Sequence, residues 1–141
     1  MSGAETPAHP WQRYGWLMGG VWLVFLAFPV AAAVDSGRSQ PRIIGALVLF
    51  GLFAAIYIHG FISLARVGFE QAMVRTGVAH LAGLLAIVVG IHVLVGAPAA
   101  GGGPYLVSLA MFALPMWAAV CVTAFVVMGT LLITILSLIH I

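Results

Sequence analysis

Twenty consecutive residues, Gly15 to Val34, carry no charge. At a helical rise of ~1.5 Å per residue they cover ~30 Å, the thickness of a bilayer's hydrocarbon core. In lipid the backbone has no water to bond to, so such a run must satisfy its amides internally, as a helix. Three further apolar stretches repeat the pattern, at about Ile43–Leu64, Val78–Val95 and Tyr105–Val127, the last continuing apolar beyond its end. The expected fold class is therefore all-α: a polytopic membrane protein of about four transmembrane helices in an irregular bundle. A polar tail, residues 1–14, precedes a membrane domain over 15–135.

Composition excludes a water-soluble alternative. Of 141 residues, 64% are hydrophobic and 6% charged, against about 25% charged in soluble domains. That leaves too little polar surface to coat a globule. The net charge of +2 rests on five arginines against three acids. The arginines punctuate apolar runs and form no basic patch, so nucleic acid is not an expected partner. Cys121 is the single cysteine, so no intrachain disulfide can form.

Ahead of the first span, Trp11, Tyr14 and Trp16 flank Arg13. Amphipathic rings and a snorkelling arginine suit a membrane–water interface. The cluster reads as an interfacial anchor, or as a sensing surface for lipid or bilayer thickness. Gly15 and Gly19 form a G-x-x-x-G pair that would let a neighbouring helix approach closely. A signal peptide cleaved near Ala31-Ala32-Ala33 is the alternative for this region, but the run exceeds the ~7–15 apolar residues of a signal core. Pro29 and Pro115 are candidate kinks, since proline lacks the N–H of the helical ladder. Ala65–Gly77 reads as a loop holding Arg66, Glu70 and Arg75, with a short interfacial helix as an option. Gly96–Pro104 is a loop dense in breakers. The run after it is too long for one straight span. It is read as one helix kinked at Pro115, with a split or re-entrant pair as the alternative.

The N-terminal tail and second loop hold Arg13, Arg66 and Arg75; the first and third loops hold Arg38 and Arg42. The positive-inside rule favours a cytoplasmic N-terminus by one arginine. At the other end, Leu136-Ser137-Leu138-Ile139-His140-Ile141 is the translation of CTG TCT CTT ATA CAC ATC, a transposon-end sequencing adaptor. Genuine sequence is expected to stop near Ile135, with the parent protein continuing beyond it, and no role is assigned to His140.

Catalytic motifs are missing from the sequence: it has no phosphate loop, G-x-S-x-G, C-x-x-C or H-E-x-x-H. No acid lies inside an expected span, which disfavours an ion or proton pathway. Histidines are the ionisable groups at membrane depth. His59, near the end of the second span, and His80, near the start of the third, fall on the same side of the membrane and would meet in a helical hairpin. Such a pair could sense pH or a ligand, hold a metal or haem, or simply bond neighbouring carbonyls. His92 lies twelve residues past His80, ~18 Å along the helix axis, and does not join them. No catalytic, cofactor-binding or metal residue is assigned.

Several blocks together resemble a known family: Arg13-Tyr14-Gly15-Trp16, Val21-Trp22-Leu23-Val24-Phe25-Leu26-Ala27-Phe28-Pro29, Tyr57-Ile58-His59-Gly60-Phe61, His80-Leu81-Ala82-Gly83-Leu84, and Val107-Ser108-Leu109-Ala110-Met111-Phe112-Ala113-Leu114-Pro115. Their order and spacing are similar to the N-terminal membrane region of DesK-like sensor histidine kinases from high-GC bacteria. The lack of lysine and the wealth of Ala, Val, Gly and Leu agree with a GC-rich genome. The resemblance implies a sensory input domain in the bacterial cytoplasmic membrane. A dimerising stalk and a kinase domain using ATP and Mg would follow it, with a homodimer, a response regulator and the lipid bilayer as partners. None of that catalytic machinery lies in these 141 residues, and no histidine here matches the phospho-accepting H-D motif. Met116-Trp117 stands where relatives tend to carry an arginine, so the path beyond Pro115 is left open. Two other classes compete: a stand-alone membrane scaffold or transporter subunit, and a small haem-binding membrane protein.

Overall fold

The structure, a computed structural model, describes residues 17, 19–66 and 70–139. Among them every regular element is helical. Helix α1 covers Gly19–Val34, α2 Gln40–Arg66, α3 Glu70–Val95, α4 Gly103–Ala113 and α5 Met116–Ile139. Of these, α2, α3 and α5 each contain an apolar stretch long enough to cross a bilayer, while α1 is a shorter apolar helix. The chain is an all-α membrane bundle, as its apolar runs require.

Local sequence sets the boundaries. Gly37 adopts a positive φ of 65°, and the Ser36 hydroxyl donates to the Ala33 carbonyl at 2.6 Å, turning the chain sharply after α1. Helix α2 then starts at Gln40, earlier than the apolar run. Pro41 is its second residue, where a missing N–H costs nothing, and the amides of Arg42 and Ile43 both reach Ser39 O. Helix α3 likewise starts at Glu70, so most of the expected loop 65–77 is helix. Polar residues there do not stop it, because the segment contains no proline and its glycines are isolated. Gly96, at φ 77°, terminates α3, and its N–H caps back to His92 O at 2.8 Å.

The largest departure from the sequence reading follows Tyr105. The run is not one kinked helix. Helix α4 stops at Ala113, Leu114 is extended at φ −116° and ψ 154°, and α5 begins after Pro115. The residue before a proline is driven out of the helical region by the proline ring. With Leu114 extended, the helix breaks and α5 turns back along α4.

Residue contacts show the path. Arg38 lies beside Gly96 at one end of the bundle, where a Cβ on that glycine would stand 3.8 Å from its Nη2. At the other end Gly77, early in α3, abuts Ala113 so closely that a Cβ on the glycine would overlap the alanine's. The 3-10 turn Ala97–Gly102 and α4 therefore retrace α3 together, from its end to its start. In turn α5 retraces α4, with Val126 and Thr130 against Gly103. Helix α1 runs beside them from Gly19, against the Phe61 ring, to Pro29, against Gly101. Among the described residues the chain thus passes between the two ends of the bundle five times. The start of α1 and the far end of α5 lie at opposite ends.

The two proline sites differ. In α1 a 3-10 turn over Val24–Leu26 lies just upstream of Pro29, which offers no N–H to Phe25 O. Amides in a 3-10 turn reach back three residues instead of four. The Trp22 carbonyl, just ahead of the turn, accepts the Tyr105 hydroxyl at 2.9 Å. The helix continues through Pro29; it ends before Pro115.

Candidate functional site

The helical hairpin of α2 and α3 brings His59 and His80 together. Each is a turn or two inside the arginines at that end, Arg66 and Arg75. The rings stack with centroids 5.2 Å apart, and His59 Nδ1 lies 3.0 Å from His80 Nε2. Gly60 makes room for the second ring: a Cβ there would lie 3.3 Å from His80 Cδ2.

Hydrogen bonding fixes the tautomers of the neutral pair. His80 Nδ1 lies 2.8 Å from Thr76 O. A carbonyl only accepts, so His80 Nδ1 carries the proton and its Nε2 is an acceptor. His59 must then donate from Nδ1 to His80 Nε2. Ser63 Oγ sits 3.4 Å from the same His59 nitrogen, too far to displace that bond. The chain of donors runs His59 Nδ1–H to His80 Nε2, then His80 Nδ1–H to Thr76 O. It leaves the His59 Nε2 lone pair at the exposed end of the pair.

The facing nitrogens are engaged with each other, so a metal or haem iron between them would require both rings to turn. Among the described residues no group of three or more potential metal ligands occurs. His92 lies at the opposite end, where its Nδ1 is 3.2 Å from Gly96 O. Trp11, Arg13, Tyr14 and Trp16, with Gly15 of the G-x-x-x-G pair, lie outside the described residues. Gly19 of that pair packs against the Phe61 ring of α2.

One polar junction escapes the sequence reading. Tyr57, fully buried, lies 2.8 Å from Ser108 Oγ. The Ser108 hydroxyl already donates to Tyr105 O at 3.0 Å, so Tyr57 is the donor. Around it Tyr57 meets Tyr105 edge-on at 5.3 Å and Phe61 at 5.0 Å. Phe53 meets Tyr105 at 5.6 Å and Phe61 meets Phe112 at 5.4 Å. The signal is present as Phe53, Tyr57 and Phe61 at spacings of four, one helix face; the partner face on α4 is hidden when that segment is read as part of a longer helix. With Tyr105 bonded to Trp22, the junction ties α1, α2 and α4 into one unit. Among the described residues no buried side-chain polar atom lacks a partner, as a lipid solvent demands.

Comparison with protein-family models, with curated proteins and with solved structures finds no match to this chain.

Proposed function

We propose that this chain is the membrane-embedded sensory input region of a two-component histidine kinase, with α5 as its output helix. The observation that carries this reading is the contrast in how α5 is held. It joins α4 through the extended Leu114–Pro115 step, and in its apolar stretch 6% of residues are buried, against 28% in α2 and 22% in α3. A signal moves an equilibrium only through different contacts in two states. A hinged, sparsely packed helix is the element whose position changes most cheaply. The His59–His80 pair and the interfacial Trp11, Arg13, Tyr14 and Trp16 are the candidate sensing groups. The stalk, the ATP and Mg site, homodimerisation and the response regulator belong to the sequence beyond α5.

On this reading the far end of α5 faces the cytoplasm. With five passes among the described helices, the start of α1 and the histidine pair would then lie on the outer side of a bacterial cytoplasmic membrane, and Arg38 and Arg42 on the inner. The arginine count favours the opposite orientation by one residue, a smaller constraint than the need for a kinase stalk to meet ATP.

The test is the genomic DNA downstream of codon 135. A coiled-coil stalk followed by an H-D motif is expected. A stop codon within a few residues overturns the kinase reading in favour of a stand-alone membrane protein. A reporter active only in the cytoplasm, fused after Ile135, is expected to be active; an inactive fusion overturns the orientation.

A further inference from the structure

A cavity of about 320 Å³ lies between α3, the 3-10 turn with α4, and α5. It has room for roughly ten carbon-sized groups at ~30 Å³ each, near the lower end of ligand-pocket volumes. One end is marked by His92 and Ala99, near the end of the bundle that holds Gly96. The other is lined by Leu85, Leu106 and Phe125. From His92 to Leu85 is seven residues of α3, ~10 Å of depth. The long axis of the cavity therefore runs from the membrane interface inward.

Its polar lining is sparse and one-sided. His92 and Thr130 are the polar side chains on the wall. His92 Nδ1 donates to Gly96 O, which leaves Nε2 of the neutral ring as an acceptor. The Thr130 hydroxyl donates to Val126 O at 2.9 Å, which leaves its oxygen lone pairs as acceptors. Two acceptors and no free donor stand on an otherwise apolar wall, and the histidine sits at the interfacial end.

We propose that this cavity binds a medium-chain amphiphile whose headgroup is a hydrogen-bond donor, a hydroxyl on an apolar chain of about ten carbons. The hydroxyl meets His92 Nε2 at the interface, and the chain lies along α3 toward Leu85 and Phe125. An acceptor-only headgroup offers His92 Nε2 no hydrogen bond. A hydrocarbon chain alone gains nothing here that it lacks in the bilayer, where the solvent is equally apolar. Occupancy of the cavity is independent of whether α5 carries a signal.

The test uses the full chain in phosphatidylcholine nanodiscs, at a pH where an ordinary imidazole is neutral. The probe is decanol bearing a diazirine in its chain, and labelled peptides are mapped by mass spectrometry. Labelling is expected on the α3 and α5 segments that line the cavity. Decanol is expected to compete about tenfold better than methyl nonyl ether, the same size without a donor. Gly129→Leu fills the cavity; Gly129 lines it, and a Cβ there meets nothing within 4 Å. Labelling is expected to vanish in that variant, with helicity and thermal melting as the check on folding. His92→Phe is expected to abolish the preference for alcohol over ether. Equal competition by the two compounds in the native chain overturns the proposal and marks the cavity as an ordinary lipid-filled crevice. So does a preference that survives His92→Phe. If Gly129→Leu does not fold, those two arms still decide.

Discussion

Helices α2 and α5 are similar in length and apolarity, yet the bundle treats them differently. Helix α2 places Phe53 and Tyr57 in the centre with 1% and 0% of their surface exposed. Helix α5 leaves Phe125 69% exposed and Trp117 72% exposed. In water the second arrangement would drive aggregation. In lipid an exposed Phe costs nothing, so apolarity alone gives no reason to pack. What draws helices together is close fit and hydrogen bonding, and α2 has both: the Tyr57–Ser108 bond, the edge-on rings and the glycine at His80. The hydroxyls of Thr123, Thr130 and Thr134 on α5 all turn back to carbonyls of their own helix. They satisfy themselves and hold nothing else. Membrane helices of equal hydropathy thus divide into densely and sparsely packed elements by where their polar groups find partners.

The sharpest way to break this contrast is a matched pair of truncations. Tyr57→Ala is expected to destabilise the chain by about 3–4 kcal/mol in micelle unfolding, since it opens a large void and removes the donor to Ser108 Oγ. Phe125→Ala should fall within ~0.5 kcal/mol, as an exposed site does. Comparable losses at the two sites would remove the distinction. Gly77→Val comes next, at about 1–3 kcal/mol, because its side chain cannot fit against Ala113 without parting α3 from α4. A loss confined to contacts of α4, with the α2–α3 hairpin intact by hydrogen exchange, would sharpen the view of the hairpin as scaffold. Tyr105→Phe isolates a single bond to Trp22 O, and about 0.6 kcal/mol is expected, a typical membrane hydrogen bond. Smallest in energy is the tautomer test at the histidine pair. Nitrogen NMR of the neutral protein should find the proton on Nδ1 of both His59 and His80, and His80→Gln should shift the His59 signals while leaving His92 unchanged. A proton on Nε2 of His80 would rule out the order of donors from His59 through His80 to Thr76.

How much of this is legible in the sequence depends on the residue. The hairpin that joins His59 to His80 follows from helix lengths and loop position, because adjacent membrane helices with a short connection must run antiparallel. The partner of Tyr57 does not, because Ser108 is distant in sequence and nothing in its surroundings marks it as a partner. The path after Tyr105 turns on one dihedral angle. Pro115 allows either a kink or a full turn, and the choice rests on whether Leu114 goes extended. The proline ring pushes Leu114 that way, and the seat of Ala113 against Gly77, a tertiary contact, accompanies it. The cavity beside His92 is the consequence, since it exists only because α5 folds back along α4.

By itself the sequence determined the solvent and the class of fold. Uncharged runs near 20 residues leave lipid as the medium and the helix as the backbone's means of satisfying its own hydrogen bonds. Tertiary structure decided the number of passes among the described residues, the aromatic junction, the tautomers of the histidine pair and the sparse packing of α5. The physical reason is that hydropathy is uniform along these helices. In a uniform apolar medium, packing is set by small-residue contacts and single hydrogen bonds, such as Gly77 against Ala113 and Tyr57 to Ser108. Those depend on which surfaces meet, and one chain read in order does not state that.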